Sequence, residues 1–172
     1  MWDFFQTVRH RHSVRHYQSD VAIEPEALHG VLEMALAGPS AGDLQAYHLV
    51  VVRDGDLRGR LAEHSGEDFL AEAPVNIVVC ADPERSAARF GKRGRELFAL
   101  QDATIAATYI QLAAVAEGLG SAWAGGFEAG TLRALLELEE HLQPVAVLAL
   151  GYPAEIPEPT PRRKLNELVS YR

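Results

Sequence analysis

Basic side chains are concentrated near the amino terminus in a pattern suited to binding an anion. Residues 9–16, RHRHSVRH, carry three guanidinium groups, three imidazoles and a hydroxyl, with no acidic side chain, in a chain whose formal net charge is −8. Because like charges repel, such a cluster is favourable where an anion binds, and guanidinium groups hold phosphate in a bidentate manner. The alternative is a solvated basic loop that pairs with surface carboxylates.

Small polar residues form a second candidate site in residues 39–45, PSAGDLQ. Ser40, Asp43 and Gln45 offer a hydroxyl, a carboxylate and an amide to the polar edge of a heterocycle. Gly42 allows a flat ring to approach the backbone. The alternative is a turn that caps the following strand, because these residue types favour turns for local reasons.

Two further segments carry weaker signals. In residues 120–127, GSAWAGGF, the backbone N–H groups of Gly125 and Gly126 can face a ligand. The same glycines can instead form a tight turn before a helix that starts near Glu128. The three cations of residues 162–164, RRK, either join the first cluster at one anion or belong to a charged tail.

Periodic apolar residues predict the elements that must hold these segments. A short helix is expected from Trp2 to Arg9. A longer helix begins at Pro25, repeats apolar residues at helical spacing and stops at Gly38-Pro39. Three short apolar runs predict strands of a central sheet that helices cover, at residues 47–52, 75–80 and 145–150.

The longest helical signal runs from Gly94 to about Glu117 and is rich in alanine. Its few polar positions form no single wet face, so the helix must be enclosed by the sheet or by a second subunit. Four prolines within residues 152–163 predict an extended tail that runs along a surface.

The composition of the chain disfavours several classes of protein. Its 172 residues fit one domain, and the negative net charge argues against nucleic-acid binding. We find no signal peptide and no run of about 18 apolar residues, and therefore expect a cytoplasmic protein that does not enter a membrane. Cys80 is the only cysteine, so an internal disulfide is excluded, a thiolate metal cluster is not expected, and the residue should be buried in its strand.

Four motifs occur in an order typical of one family. They are RHRHSVR at residues 9–15, PSAGDLQAYHLVVVRD at 39–54, LQDATIAATYIQLAAVAEGLGSAWAGGF at 100–127 and LGYPAEIPEPTPRRKLNELV at 150–169. Together these motifs span nearly the whole chain, and the sequence resembles the nitroreductase family of FMN-dependent enzymes.

The resemblance implies the architecture of the protein. An α+β, nitroreductase-like fold is expected, in which helices flank a central mixed, mainly antiparallel sheet. An intertwined homodimer is also implied, with two FMN molecules at its interface. Each chain would then be one FMN-binding domain, residues 1–172, with an extended tail from about residue 152 to 172 that packs on the partner subunit.

The resemblance also implies roles for the candidate residues. Those expected beside the phosphate, ribityl chain and pyrimidine edge of a tightly bound FMN are Arg11, His12, Ser13 and Arg15, with Arg162 approaching the phosphate from the tail. Those expected from the other subunit are Pro39, Ser40, Ala41, Asp43 and Gln45. The backbone amides of Gly125 and Gly126 are expected near the reactive N5 atom. No catalytic side chain and no metal ion are implied, because the cofactor carries the chemistry.

The sequence departs from the family's pattern at two places. The usual asparagine of the PS-x-x-N motif is Asp43 here, and the usual Pro-Trp after the glutamine is Ala46-Tyr47. Asp43 lacks an amide donor and adds negative charge beside a cofactor that becomes anionic on reduction. We therefore expect a lowered flavin reduction potential, unless Asp43 is protonated or paired.

The implied activity is a ping-pong hydride transfer. Reduced nicotinamide, NADH or NADPH, passes a hydride to flavin N5 and leaves, and a small-molecule acceptor such as a nitroaromatic or a quinone is then reduced at the same place. Two alternatives stay open: an oxidase, dehydrogenase or dehalogenase with a dedicated substrate, and a non-catalytic flavin-binding module. Residues 82–95 either cover the pocket and select acceptors or are solvated through Arg85, Arg89, Arg93 and Arg95.

Overall fold

The computed structural model describes residues 3–18 and 20–172, which are organised around a sheet of four strands in the order β1-β2-β4-β3. All neighbouring strands are antiparallel, and an isolated bridge between Ser13 and Ser121 is parallel. The strands are β1 (Tyr47–Val52), β2 (Val75–Ala81), β3 (Gly120–Ala124) and β4 (Gln143–Gly151). The predicted strands at residues 47–52, 75–80 and 145–150 are therefore confirmed, whereas β3 was missed because its small residues resemble a turn.

Seven helices accompany the sheet in the described residues: α1 (Phe4–His10), α2 (Pro25–Leu36), α3 (Gly55–Ser65), α4 (Phe69–Glu72), α5 (Pro83–Arg93), α6 (Ala99–Ala116) and α7 (Ala129–Leu135). The predictions for α2 and α7 are confirmed, and α1 matches the predicted amino-terminal helix except that Trp2 lies outside the described residues. Helices α3, α4 and α5 were not predicted from the sequence, because their apolar residues show no sustained helical repeat.

The predicted long helix is divided into two parts. Its first five residues, Gly94–Phe98, form a π-helical turn, and the α-helix proper is α6. Ala103, Ala107 and Ile110 of α6 are fully buried, whereas Gln101, Thr104 and Thr108 on the opposite side are exposed. The sheet therefore encloses α6 on one side only, and the other side is open in the single chain.

The sheet separates two apolar layers, as alternation along β2 shows. Ile77 and Val79 pack with α2 and α6, while Val78 and Cys80 pack on the opposite face with α3, α4 and α7. Every residue of β2 is buried, including Cys80, as the apolar run predicted. This α+β arrangement confirms the expected fold class. No helix in the described part of the chain is long and apolar enough to cross a membrane.

The carboxyl-terminal segment begins beside His16 and Tyr17 and then becomes exposed. Tyr17 bridges to Pro153, and Ala154 N donates to His16 O at 2.9 Å. Beyond this point the segment is extended apart from a 3-10 turn at Leu165–Glu167, and apolar side chains such as Ile156 are exposed. The predicted extended course is confirmed.

Candidate functional site

Residues 11–16, the basic segment, run extended along the edge of the sheet. The segment follows α1, which is capped reciprocally by Asp3 and Gln6. Val14 N donates to Ser121 O at 2.9 Å, and a Cβ on Gly120 would lie 2.8 Å from Val14 Cβ, so only glycine permits this approach. The backbone is thus fixed on β3, while Arg11, His12 and Ser13 are half-buried and Arg15 is exposed.

The charge partners of this segment distinguish the two alternatives for it. His16 Nδ1 lies 3.4 Å from Glu72 Oε2, and His16 Nε2 lies 3.9 Å from Glu155 Oε1. Within residues 3–18 and 20–172, neither Arg11 nor Arg15 forms an ion pair with a carboxylate. Arg15 instead lies 5.8 Å from the centroid of the Phe69 ring. Pairing with carboxylates is thus seen at His16, whereas the guanidinium groups of Arg11 and Arg15 retain donors for an external anion.

Residues 39–45, the polar loop, adopt a strained turn between α2 and β1. The backbone φ is 57° at Asp43 and 43° at Gln45, a left-handed conformation that costs on the order of 1–3 kcal/mol in a residue other than glycine. Side chains of the loop bond within it: Ser40 Oγ accepts from Gln45 N at 2.9 Å, and Gln45 Nε2 donates to Asp43 Oδ1 at 2.7 Å. Such strain persists where the surroundings hold it and clusters at ligand sites.

Asp102 of α6 holds the polar loop in place. Its side chain is only 2% exposed, Oδ1 accepts from Ala41 N at 2.8 Å, and Oδ2 accepts from Ala46 N at 3.3 Å. Asp102 was not among the predicted site residues. The available signal was an isolated acid on the buried side of an alanine-rich helix, where a carboxylate needs hydrogen-bond donors.

Arginines of α5 hold the polar loop from the other side. Arg89 Nη1 donates to Gly42 O at 3.0 Å, and Arg85 Nε donates to Leu44 O. A Cβ on Gly42, whose φ is 58°, would lie 2.8 Å from Arg89 Nη1. Arg95 forms an ion pair with Glu84. Within residues 82–95, two arginines therefore contact the candidate site instead of being merely solvated.

A cavity of about 660 Å³ lies between the polar loop and the open side of α6. Three predicted residues of the polar loop line this cavity: Pro39, Ser40 and Ala41. Apolar and hydroxyl side chains of α6 line the rest of it. Asp43 and Gln45 belong to the same loop and do not line this cavity.

The basic segment lies at the opposite end of α6. His12 and Val14 line a separate cavity of about 220 Å³ with Val115. Because an α-helix rises 1.5 Å per residue, Asp102 and Val115 are about 20 Å apart along the axis. The structure thus does not bring the two predicted halves of the site together within one chain.

The remaining predicted residues divide between these places. Gly125 and Gly126 are exposed and directly follow β3. Because the bridge between Ser13 and Ser121 is parallel, the chain after Ser121 runs in the same direction as the chain after Ser13, and the two glycines lie towards the same end of the sheet as Arg15. Arg162 is exposed on the carboxyl-terminal tail and forms no hydrogen bond with the basic segment among the residues described. In the described ranges, no group of three His, Cys, Asp or Glu side chains is arranged to hold a metal ion.

Comparison with known proteins gives consistent matches. Residues 8–72 and 64–152 match the model of the Nitroreductase family. An NADH dehydrogenase of Thermus thermophilus is 35% identical over 191 residues, covering 94% of this chain and 92% of that protein. An FMN reductase (NADPH) of Bacillus subtilis is 27% identical, covering 91% of this chain and 68% of that protein.

A solved structure extends this comparison to three dimensions. The NADPH:FMN oxidoreductase of Vibrio harveyi, complexed with NAD+, superposes with a TM-score of 0.88 at 28% identity. The superposition covers 97% of this chain and 76% of the other, so the two proteins share a fold.

Proposed function

Because this chain belongs to the nitroreductase family, we propose that it is an FMN-dependent oxidoreductase that uses NADH or NADPH to reduce small-molecule acceptors such as nitroaromatics and quinones. The relatives named as NADH dehydrogenase, FMN reductase and NADPH:FMN oxidoreductase support this activity. The observation that carries the proposal is the basic segment, whose backbone is fixed on β3 while Arg11 and Arg15 have no carboxylate partner in the described chain.

The residues of this segment fit the phosphate end of FMN. Arg11, His12, Ser13 and Arg15 provide guanidinium, imidazole and hydroxyl donors to a doubly charged group, and the adjacent Gly125-Gly126 turn provides backbone donors to the edge of the ring. The chemistry that bound FMN would supply is the transfer of two electrons from reduced nicotinamide to the acceptor. The protein then has to bind the ring, orient it and exclude water.

We further propose that each site is assembled from two chains. Pairing of two antiparallel α6 helices about a twofold axis would place the polar loop of one chain beside the basic segment of its partner. The two halves of the site, which lie about 20 Å apart along α6 within one chain, would then come together. Exposed apolar side chains support such a dimer, and they include Phe4, Phe5, Leu100, Ile156 and Leu165. Each chain would form a single domain, residues 1–172. Its tail, from about residue 152 to 172 and including Arg162, would pack on the partner subunit.

The visible spectrum of the purified protein tests the proposed activity. We expect stoichiometric FMN binding, loss of the flavin absorbance when NADH or NADPH is added without oxygen, and its return when a quinone is added. Failure of the protein to bind FMN on titration would overturn the proposal.

The same experiment separates the alternatives. Rapid reduction of the flavin by an organic substrate without nicotinamide would indicate an oxidase, dehydrogenase or dehalogenase with a dedicated substrate. Bound flavin that neither nicotinamide nor an organic substrate reduces would indicate a non-catalytic flavin-binding module.

A further inference from the structure

Two phenylalanine rings, each in contact with the guanidinium group of an arginine, lie at the rim of the 660 Å³ cavity. The rings of Phe90 and Phe98 meet edge to face, with centroids 5.2 Å apart, and Phe98 lines the cavity. The Arg89 guanidinium carbon lies 5.4 Å from the centroid of the Phe90 ring, and that of Arg93 lies 5.4 Å from the centroid of the Phe98 ring. The rings thereby orient the two cations, with Arg89 beside the polar loop and Arg93 beside the Phe98 ring of the cavity wall.

The neighbouring carboxylates are already occupied. Glu84 pairs with Arg95, Glu96 pairs with Lys92 at 3.7 Å, and Asp102 accepts two backbone N–H groups of the polar loop. Neither Arg89 nor Arg93 forms an ion pair with a carboxylate in the ranges that the structure describes. Arg89 uses one N–H group on Gly42 O, and a guanidinium has five donors, so both side chains retain donors.

The composition of the cavity wall defines the shape of a matching ligand. Apolar side chains such as Phe98 and Leu100 line the cavity together with the hydroxyl groups of Ser40 and Thr104, a surface suited to a planar ring with a few polar groups. We infer that Arg89 and Arg93 bind the anionic group, a carboxylate or a phosphate, of a planar ligand that enters this cavity. The inference rests on the proposed function, since this ligand is the acceptor or the nicotinamide donor of that reaction.

Matched ligands and one variant test the inference on the FMN-loaded enzyme. Arg93→Gln is the informative change, because Arg89 also holds the polar loop, whereas Arg93 contacts the Phe98 ring. The acceptor pair is 4-nitrobenzoate and its neutral methyl ester, and the donor pair is NADPH and NADH. Arg60→Gln, an exposed position on α3 beyond the opposite face of the sheet, is the control.

We expect Arg93→Gln to lower kcat/KM about fivefold for the more anionic member of one pair, because one exposed ion pair is lost, and less than about twofold for the other member, which lacks that anionic group. A changed ratio of kcat/KM between 4-nitrobenzoate and its ester identifies the acceptor's carboxylate as the group that Arg93 binds. A changed ratio of kcat/KM between NADPH and NADH identifies the 2′-phosphate as that group. For the ligand pair that responds to Arg93→Gln, the same ratio of kcat/KM in the wild type should decline as salt is added.

Two outcomes contradict the inference in distinguishable ways. If Arg93→Gln leaves both ratios within about twofold of the wild type and of Arg60→Gln, the inference is overturned while the proposed function stands. If the FMN-loaded wild type oxidises neither NADH nor NADPH with any of these acceptors, the proposed function itself fails, and the inference fails with it.

Discussion

Gln45 donates a hydrogen bond from Nε2 to Asp43 Oδ1 at 2.7 Å, and both residues have a left-handed backbone. The contact uses the amide group that Gln45 otherwise offers to a ligand. The neutral amide donor pairs with the Asp43 carboxylate without cancelling its charge. Asp43 is therefore paired but does not replace the donor that the family's usual asparagine supplies.

Replacing Asp43 with asparagine should raise the reduction potential of the bound flavin. Asp43→Asn keeps an oxygen that accepts from Gln45 Nε2 and removes a negative charge that disfavours an anionic reduced cofactor. A loss of 1–2 kcal/mol of repulsion corresponds to a rise of about 20–40 mV for a two-electron couple. Equilibration with reference dyes measures the potential, and Glu63→Gln on α3 is the control. An unchanged potential would mean that Asp43 is distant from the flavin ring.

Asp102→Asn should loosen the polar loop. The amide nitrogen of asparagine would face a backbone N–H group that now donates to a carboxylate oxygen, leaving a buried donor unsatisfied. We expect the free energy of unfolding to fall by about 1–3 kcal/mol and FMN to bind more weakly. Urea denaturation and flavin titration measure the two effects, with the exposed Asp56→Asn as the matched control. Wild-type values for both measurements would show that Asp102 does not hold the loop.

Elements buried on both faces could be predicted from sequence, and long-range contacts could not. The runs at residues 75–80 and 145–150 are almost wholly apolar because both faces of the sheet are covered. In contrast, β3 consists of small residues apart from Trp123 and borders the basic segment through the Ser13–Ser121 bridge, and the local sequence there favours a turn. The role of Asp102 depends on N–H groups about sixty positions away along the chain, as its bond to Ala41 shows. The positive φ of Gln45 could not be predicted either, because glutamine rarely adopts a left-handed backbone.

Arg11→Ala and Arg15→Ala should each weaken FMN binding. Each change removes a charge-assisted hydrogen bond to the phosphate, worth about 1–3 kcal/mol, or about 5-fold to 150-fold in Kd. Fluorescence titration of the flavin-free protein measures Kd, and Arg60→Ala should behave as the wild type. Unchanged affinity in both variants would refute the assignment of the basic segment to the phosphate.

Alkaline pH should destabilise the fold partly through Cys80. Burial raises the pKa of the Cys80 thiol to about 11. The unfolded thiol has a pKa near 8.5 and loses its proton first, so the contribution of Cys80 to stability is complete below about pH 8.5 and falls as the pH rises towards 11. Burial of Tyr17 raises its pKa as well, which adds to the loss at higher pH.

Urea denaturation between pH 8 and pH 11 isolates the contribution of the thiol. Cys80→Ala should show a shallower decline of the free energy of unfolding than the wild type, by up to about 1 kcal/mol per pH unit. Equal slopes in the two proteins would show that the Cys80 pKa is not raised by folding.

The central claim is that each flavin site combines the basic segment of one chain with the polar loop of another, and subunit complementation tests it most directly. Arg11→Ala/Arg15→Ala removes the phosphate contacts, and Gly42→Val displaces the polar loop against Arg89. Each variant alone should have little NADPH-dependent quinone reduction. Random mixing of the two by co-refolding should restore about a quarter of the wild-type activity, because half of the dimers would then contain one complete site of two. If the mixture stays as inactive as its components while co-refolded wild type recovers full activity, the shared site is contradicted.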